Sequence, residues 1–398
     1  MRVSSSLRHL AAVAAVLATS PSPATAGPPP NSTRYSTWMA SSLISRRDGI
    51  MTGTGGSSAP LQAGFTQKAF AALIAQYPDD DIHAQDYLEA SINSVIPYLS
   101  NASEDALSYP LDRLSNGNAM ISLLARAQGS PGNETTSYEA AVEALRQSID
   151  LNRRNQEGGL WYYTYPNWSY LDGMYSLAPF NTLYTVSHSG SNGTLINQTA
   201  LDDVALQVDL LWQHCLNASS GLLVHGYDAS LTAVWANPVT GASPHVWGRS
   251  LGWYLMALVA TLETLPRVSS TSEMIEVLLE KFQSLAAAVI QAVDPVTGGW
   301  WQVMDMPGRE GNYIESSGSA MFTYALFKGH RLGYLKDNAT ATAPVIARRA
   351  YEYLTDAFVV RELNGTLGYN GTVSVCSLNS TASYEVSENW SLLFGWIR

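Results

Sequence analysis

An all-α fold, a closed ring of helical hairpins, is what this 398-residue sequence predicts. From Leu61 onward apolar residues recur three and four positions apart, and strand-like alternation is nearly absent. One loop type also recurs between the helical stretches: "GGLWYYTYP" from Gly158, "SGLLVHGYD" from Ser220, "GGWWQVMDM" from Gly298 and "GTLGYNGTV" from Gly365. These loops fall roughly one helix pair apart, so a unit of two helices and a short turn repeats about six times. Unit length varies more than is usual in an open solenoid, which favours closure with the recurrent loops at one mouth.

The elements follow in chain order. Residues 1–26 read as a secretory signal: Arg2 and Arg8, the apolar run "LAAVAAVLA", then "ATA" as a cleavage site. Residues 27–60 are rich in Pro, Gly, Ser and Thr and read as a flexible segment carrying one first helix, "YSTWMASSLISR". Residues 61–398 form a single barrel domain. Its strong helices are "LQAGFTQKAFAALIAQ", "HAQDYLEASINSVIPYL", "SYEAAVEALRQSIDL", "ALDDVALQVDLLWQHC", "GRSLGWYLMALVATLETL", "SEMIEVLLEKFQSLAAAVIQAV", "SGSAMFTYALFKGHRLGYL" and "APVIARRAYEYLTDAF". Weaker stretches near Thr33, Asp112, Asp172 and Glu385 bring the total to about twelve.

Composition narrows the function classes. Acceptor triplets for N-glycosylation begin at Asn101, Asn133, Asn192, Asn197, Asn217, Asn338, Asn364, Asn370 and Asn379, with others at Asn31, Asn167 and Asn389. With the leader, they predict a secreted, extracellular glycoprotein of eukaryotic type. The two cysteines, Cys215 and Cys376, exclude a disulfide framework; one bridge and two separate buried thiols both stay open. A net charge of −11 without a basic cluster argues against nucleic acid, and no segment is long and apolar enough for a membrane span. No His/Cys pair has metal-ligand spacing and no Asp-rich calcium loop or phosphate loop is present, so no metal or other cofactor is expected.

The chemistry-bearing residues cluster at the helix–loop junctions. In "WSYLDGMYSLAPF", Asp172 is either an N-cap or a catalytic acid whose apolar shell raises its pKa. Pro179 within the following helical run weakens the plain capped-helix reading. Asp112 in "YPLDRLSNGNAM" is likewise a cap or a second pocket carboxylate. "SPHVWGRSLGWYLMALV" sets Arg249 and Trp253 four apart on one helical face, either as a clamp for a carboxylate that stacks on a ring or as an Arg capped by Trp in a structural ion pair. His225 in "LVHGYD" is a proton handler, a substrate donor or a hydrogen-bonded loop residue.

Taken in order, "YLDGMYSLAPF", "GLLVHGYD", "WGRSLGWYLMALV" and "GGWWQVMDMPGREGNYIESSGSAMFTYALFKGHRLGYL" resemble the unsaturated rhamnogalacturonyl hydrolases, glycoside hydrolase family 105. The unsaturated glucuronyl hydrolases of family 88 are a more distant likeness. The resemblance runs from about Gln62 to Cys376 and implies an (α/α)6 barrel. It also implies an enzyme that hydrates the C4=C5 double bond of a terminal unsaturated uronic acid. Asp172 then matches the general acid/base, with capping as a second task, and Asp112 a second pocket aspartate. His225, Arg249 and Trp253 match substrate contacts, with Tyr170 and Trp247 beside them, and Arg249 faces the uronate carboxylate. Two departures stand out: Tyr162 and Tyr163 occupy places where the family usually has His or Lys, and the chain stops soon after Tyr384, whereas the family runs longer. The expected activity is release of unsaturated galacturonyl residues from rhamnogalacturonan oligosaccharides by a secreted monomer. Other unsaturated uronides, or sugar binding with weak catalysis, are the alternatives.

Overall fold

In the computed structural model the described residues are 34–53, 56–127, 133–189 and 196–373, together with Leu378 and Tyr384. They form a helical barrel of the (α/α)6 kind, with five of its inner–outer hairpins described. The helices are α1 (Tyr35–Arg46), α2 (Ala59–Gln76), α3 (Ala84–Leu99), α4 (Gly117–Arg126), α5 (Asn133–Asp150), α6 (Met174–Ser187), α7 (Gln198–Cys215), α8 (Gly248–Thr264), α9 (Ser272–Gln291), α10 (Ser316–Arg331) and α11 (Asp337–Ala357). Inner helices α2, α4, α6, α8 and α10 pack in sequence, each against its outer partner α3, α5, α7, α9 or α11. The weak helical stretch near Glu385 lies outside the described residues, and α2 faces α10 across a cavity of about 420 Å³.

Burial follows this arrangement. Thirteen of the seventeen residues of α8 are buried, as an inner helix with neighbours on every side requires. Outer α11 buries only Ala343, Ala347, Ala350 and Leu354, a narrow stripe on an otherwise polar helix. α6 runs through Pro179, whose missing N–H leaves the Tyr175 carbonyl without a helical donor. Lys68 from α2 supplies the donor at 2.9 Å, with its ammonium 4.0 Å above the Tyr175 ring. Burial, and then the charge of Lys328, lower its pKa to about 7.

The recurrent loops share one geometry. Gly158, Gly221, Gly298 and Gly365 all have φ between +71° and +87°, a region costly for residues with a Cβ. In each loop an N–H near the turn's start bonds a carbonyl beyond the glycine: Asn155 to Gly159, Asn217 to Leu222, Asp294 to Gly299 and Glu362 to Thr366, at 2.8–2.9 Å. The chain then runs extended toward the mouth. There β1 (Trp168–Tyr170) pairs antiparallel with β2 (Gly226–Asp228), and β3 (Val359–Arg361) with β4 (Leu367–Tyr369).

α1 is anchored by hydrogen bonds to the far end of the chain's described part. Trp38 Nε1 donates to the Gly365 carbonyl at 2.8 Å, Arg46 to the Leu367 carbonyl at 2.9 Å, and Leu367 N–H to Ser42 Oγ at 2.8 Å. α1, the helix read from "YSTWMASSLISR", is therefore tied to β4. Among the acceptor triplets, Asn101, Asn217, Asn338, Asn364 and Asn370 lie at least partly exposed, while Asn197 caps α7. Asn192, Asn379 and Cys376, like the side chain of Asn133, lie outside the described residues; Cys215 is buried.

Candidate active site

Asp172 sits in the 3-10 turn Leu171–Gly173, directly ahead of α6. α6 has no side-chain cap, so Asp172 is not its N-cap. Its Oδ2 instead accepts from Ser250 Oγ at 2.5 Å and lies 3.0 Å from His225 Nε2. The expected apolar shell is thus corrected. Burial acts to raise this carboxyl, but the charge of His225, the hydrogen bonds from His225 and Ser250, and the charge of Arg249 outweigh it. The pKa is lowered, and Asp172 rests as a carboxylate. Ser250 escaped notice in the sequence although it follows Arg249 directly; a lone serine carries no signal until the fold brings α8 beside Asp172.

Asp112 lies in the 3-10 turn Leu111–Asn116, which also has no side-chain cap. That turn is pinned from two sides. Asn116 Nδ2 donates to the Pro60 carbonyl of α2 at 2.9 Å, and Gln67 Nε2 to Asn116 Oδ1 at 3.1 Å. Gly64 permits this approach, since a Cβ there would lie 2.0 Å from Ser115 Oγ. On the other side, buried Arg113 donates to Ser148 Oγ at 3.0 Å, the Ser148 carbonyl at 3.1 Å and Asn152 Oδ1 at 3.2 Å, tying the turn to α5 and its end.

Asp112 is buried and behaves oppositely to Asp172. Its Oδ2 accepts from Tyr162 Oη at 2.6 Å, while no partner is present for Oδ1 among the described residues. Burial pushes its pKa up to about 7, reinforced by the charge of Asp172 and opposed by the Tyr162 hydrogen bond and Arg113. The two carboxyls therefore sit within electrostatic reach with their protonation pulled apart.

An aromatic wall joins them. Tyr162 stacks on Tyr170 at 4.8 Å, Tyr170 lies 5.1 Å from His225, and Trp247 runs parallel to His225 at 6.5 Å. The wall is set by the β1–β2 pairing, in which Tyr170 opposes Gly226, the residue after His225. Arg249 occupies the first turn of α8, half-buried, and its charge also acts on Tyr313. Trp253, one turn on, stacks with Tyr175 at 5.5 Å and meets Phe65 edge-on at 5.3 Å. His245 and Asp305, which lie 3.0 Å apart beside the wall, were not singled out from sequence. Among the described residues, no group of three or more His, Cys, Asp or Glu side chains is placed to hold a metal.

A helical barrel carrying two unlike carboxyls and an aromatic wall at its mouth is the make-up of a glycoside hydrolase. Residues 61–395 match the model of Glycosyl Hydrolase Family 88, and the chain belongs to that family. A solved glycoside hydrolase from family 105 of C. acetobutylicum superposes with a TM-score of 0.75 at 30% identity, over 89% of this chain and 93% of that one. The unsaturated glucuronyl hydrolase of Bacillus sp. GL1 shares the fold, with a TM-score of 0.59 at 13% identity over 85% and 88%. Protein Atu3128 of Agrobacterium fabrum is 41% identical over 160 residues, 40% of this chain. The match spans 66% of that relative's length, just under two thirds.

Proposed function

We propose that this family member is secreted and releases terminal unsaturated galacturonyl residues from rhamnogalacturonan oligosaccharides. The observation that carries the chemistry is the placing of two carboxyls in unlike settings: Asp112 buried under the Tyr162 hydroxyl, and Asp172 held by Ser250 and His225 within the field of Arg249. The leader-like start and the acceptor triplets support export. The order of quoted motifs supports the pectin-derived substrate.

The substrate's C4=C5 bond is a vinyl ether, so a proton added at C4 leaves positive charge on C5 shared with the ring oxygen. The carboxyl pair supplies that proton as a unit. Before substrate binds, Asp112 is the member with the higher proton affinity. An anionic sugar entering beside Asp172 raises that carboxyl, so that the pair's proton is then held on Asp172. Asp172 gives it to C4, then takes one from the water that attacks C5, and returns it to the pair. The C5 hemiketal opens and frees the neighbouring sugar. Arg249 pairs with the uronate carboxylate, a local cation that an acidic protein needs for an anionic ligand. Tyr170, Trp247 and Trp253 offer apolar faces for the sugar rings.

The test is loss of the ultraviolet band of the conjugated uronate when the protein meets lyase-generated rhamnogalacturonan oligomers. Asp172→Asn is expected to slow that loss by about 10³-fold or more. Equal loss with both proteins would overturn the role of Asp172. Hydration only of unsaturated glucuronides would move the substrate, and binding without hydration would favour a sugar-binding protein.

A further inference from the structure

We propose that Tyr162 is a positioning residue for the carboxyl pair: by donating to Oδ2 of Asp112 it leaves the transferable proton on Oδ1. This rests on the hydration chemistry proposed above. A carboxyl that accepts at one oxygen carries its proton on the other, and Oδ1 is the oxygen no described group claims.

Tyr162 is itself held on every side. Its N–H donates to the Trp168 carbonyl at 2.8 Å, and its own carbonyl accepts from Leu111 N–H at 3.0 Å, one residue before Asp112. The ring stacks on Tyr170 with the planes 19° apart. Its edge also faces the turn of the other carboxylate: a Cβ added at Gly173, the residue after Asp172, would lie 3.3 Å from Tyr162 Cδ2. One side chain thus binds Asp112 through its hydroxyl and turns its ring toward Gly173, the residue after Asp172. It can hold the Asp112 carboxyl in a fixed place relative to the turn that carries Asp172. Burial first, then the charges of Asp112 and Asp172, keep its own hydroxyl protonated far above neutral pH. It donates throughout the range in which the pair titrates.

Tyr162→Phe removes the donor and keeps the ring and its stack. Two readouts separate positioning from plain structure. In the free protein labelled with ¹³C at the Asp carboxyls, the Asp112 signal, assigned by its loss in Asp112→Asn, is expected to titrate at higher pH in Tyr162→Phe. The hydrogen bond that favoured its ionised form is gone. In turnover of unsaturated oligomers, kcat is expected to fall about 10- to 100-fold with KM within about threefold, and the alkaline limb to move to higher pH. An Asp112 titration unchanged by the substitution would overturn the proposal, even if the rate fell. The titration needs no substrate, so a wild-type protein that hydrates no unsaturated uronide would sink the functional reading alone.

Discussion

Asp112 and Asp172 are the same residue type in the same kind of short 3-10 turn, yet their proton affinities are shifted in opposite directions. Asp172 meets a hydroxyl, an imidazole and a guanidinium charge; Asp112 meets one phenol and little else. The pKa of Asp112 is raised in the fold from the ordinary 3.8 to about 7, so its effect on stability has a defined sign. A raised carboxyl favours the fold at low pH, and that contribution is lost as pH climbs through about 7. Asp112→Asn removes the cost of burying a charge while keeping an acceptor for Tyr162. It is expected to raise the melting temperature at pH 8 by an amount reflecting on the order of 3 kcal/mol, with little change at pH 4. The same variant is expected to lose hydration activity. Thermal melts at the two pH values check the first expectation, and an equal shift at both would refute it. In the wild type, activity is expected to decline above pH about 7, as the pair loses its shared proton.

Among the elements, the glycine-bearing turns and the helix starts aim the side chains. Gly221 precedes the extended run that delivers His225, and at φ +71° an added Cβ would lie 3.2 Å from that of Ala288. Gly221→Ala is expected to cost about 1–2 kcal/mol, read from denaturant unfolding. α10 begins on Glu315, buried, whose carboxylate accepts from Ser317 and Gly318 N–H at 3.1 and 2.6 Å and from Val373 N–H at 3.1 Å. Glu315→Ala leaves those donors buried and unpaired, with an expected cost of about 2–4 kcal/mol by the same measurement. A loss under about 0.5 kcal/mol would show that water replaces the cap.

For the molecule as a whole, ring closure is the feature with a checkable handle. α1 ties to β4 through Trp38, Arg46 and Ser42, so the first described helix braces the loop from which Glu362 and Thr366 form the last recurrent turn. Trp38→Phe keeps the ring and removes the Nε1 donor. It is expected to cost about 1 kcal/mol and to speed amide exchange in α1 and β4 together. Exchange that rises in α1 alone would show that the two are not one cooperative unit. None of the described helices is long and apolar enough to cross a membrane.

The 3.6-residue periodicity and the four glycine-led loops were enough to determine helix order and the hairpin repeat, because burying one face of a helix is a local pattern in the chain. The motifs around Asp112, Asp172, His225, Arg249 and Trp253 likewise named residues that the fold brings near one another. Sequence could not fix the protonation of the two aspartates or the part played by Ser250 and Tyr162. Nor could it show that α1 belongs to the ring. Asp172 and Ser250 are 78 residues apart, Asp112 and Tyr162 are 50 apart, and Trp38 and Gly365 are 327 apart. A carboxyl's proton affinity depends on which donors and charges stand within a few ångströms of it, and only the closed barrel sets those distances.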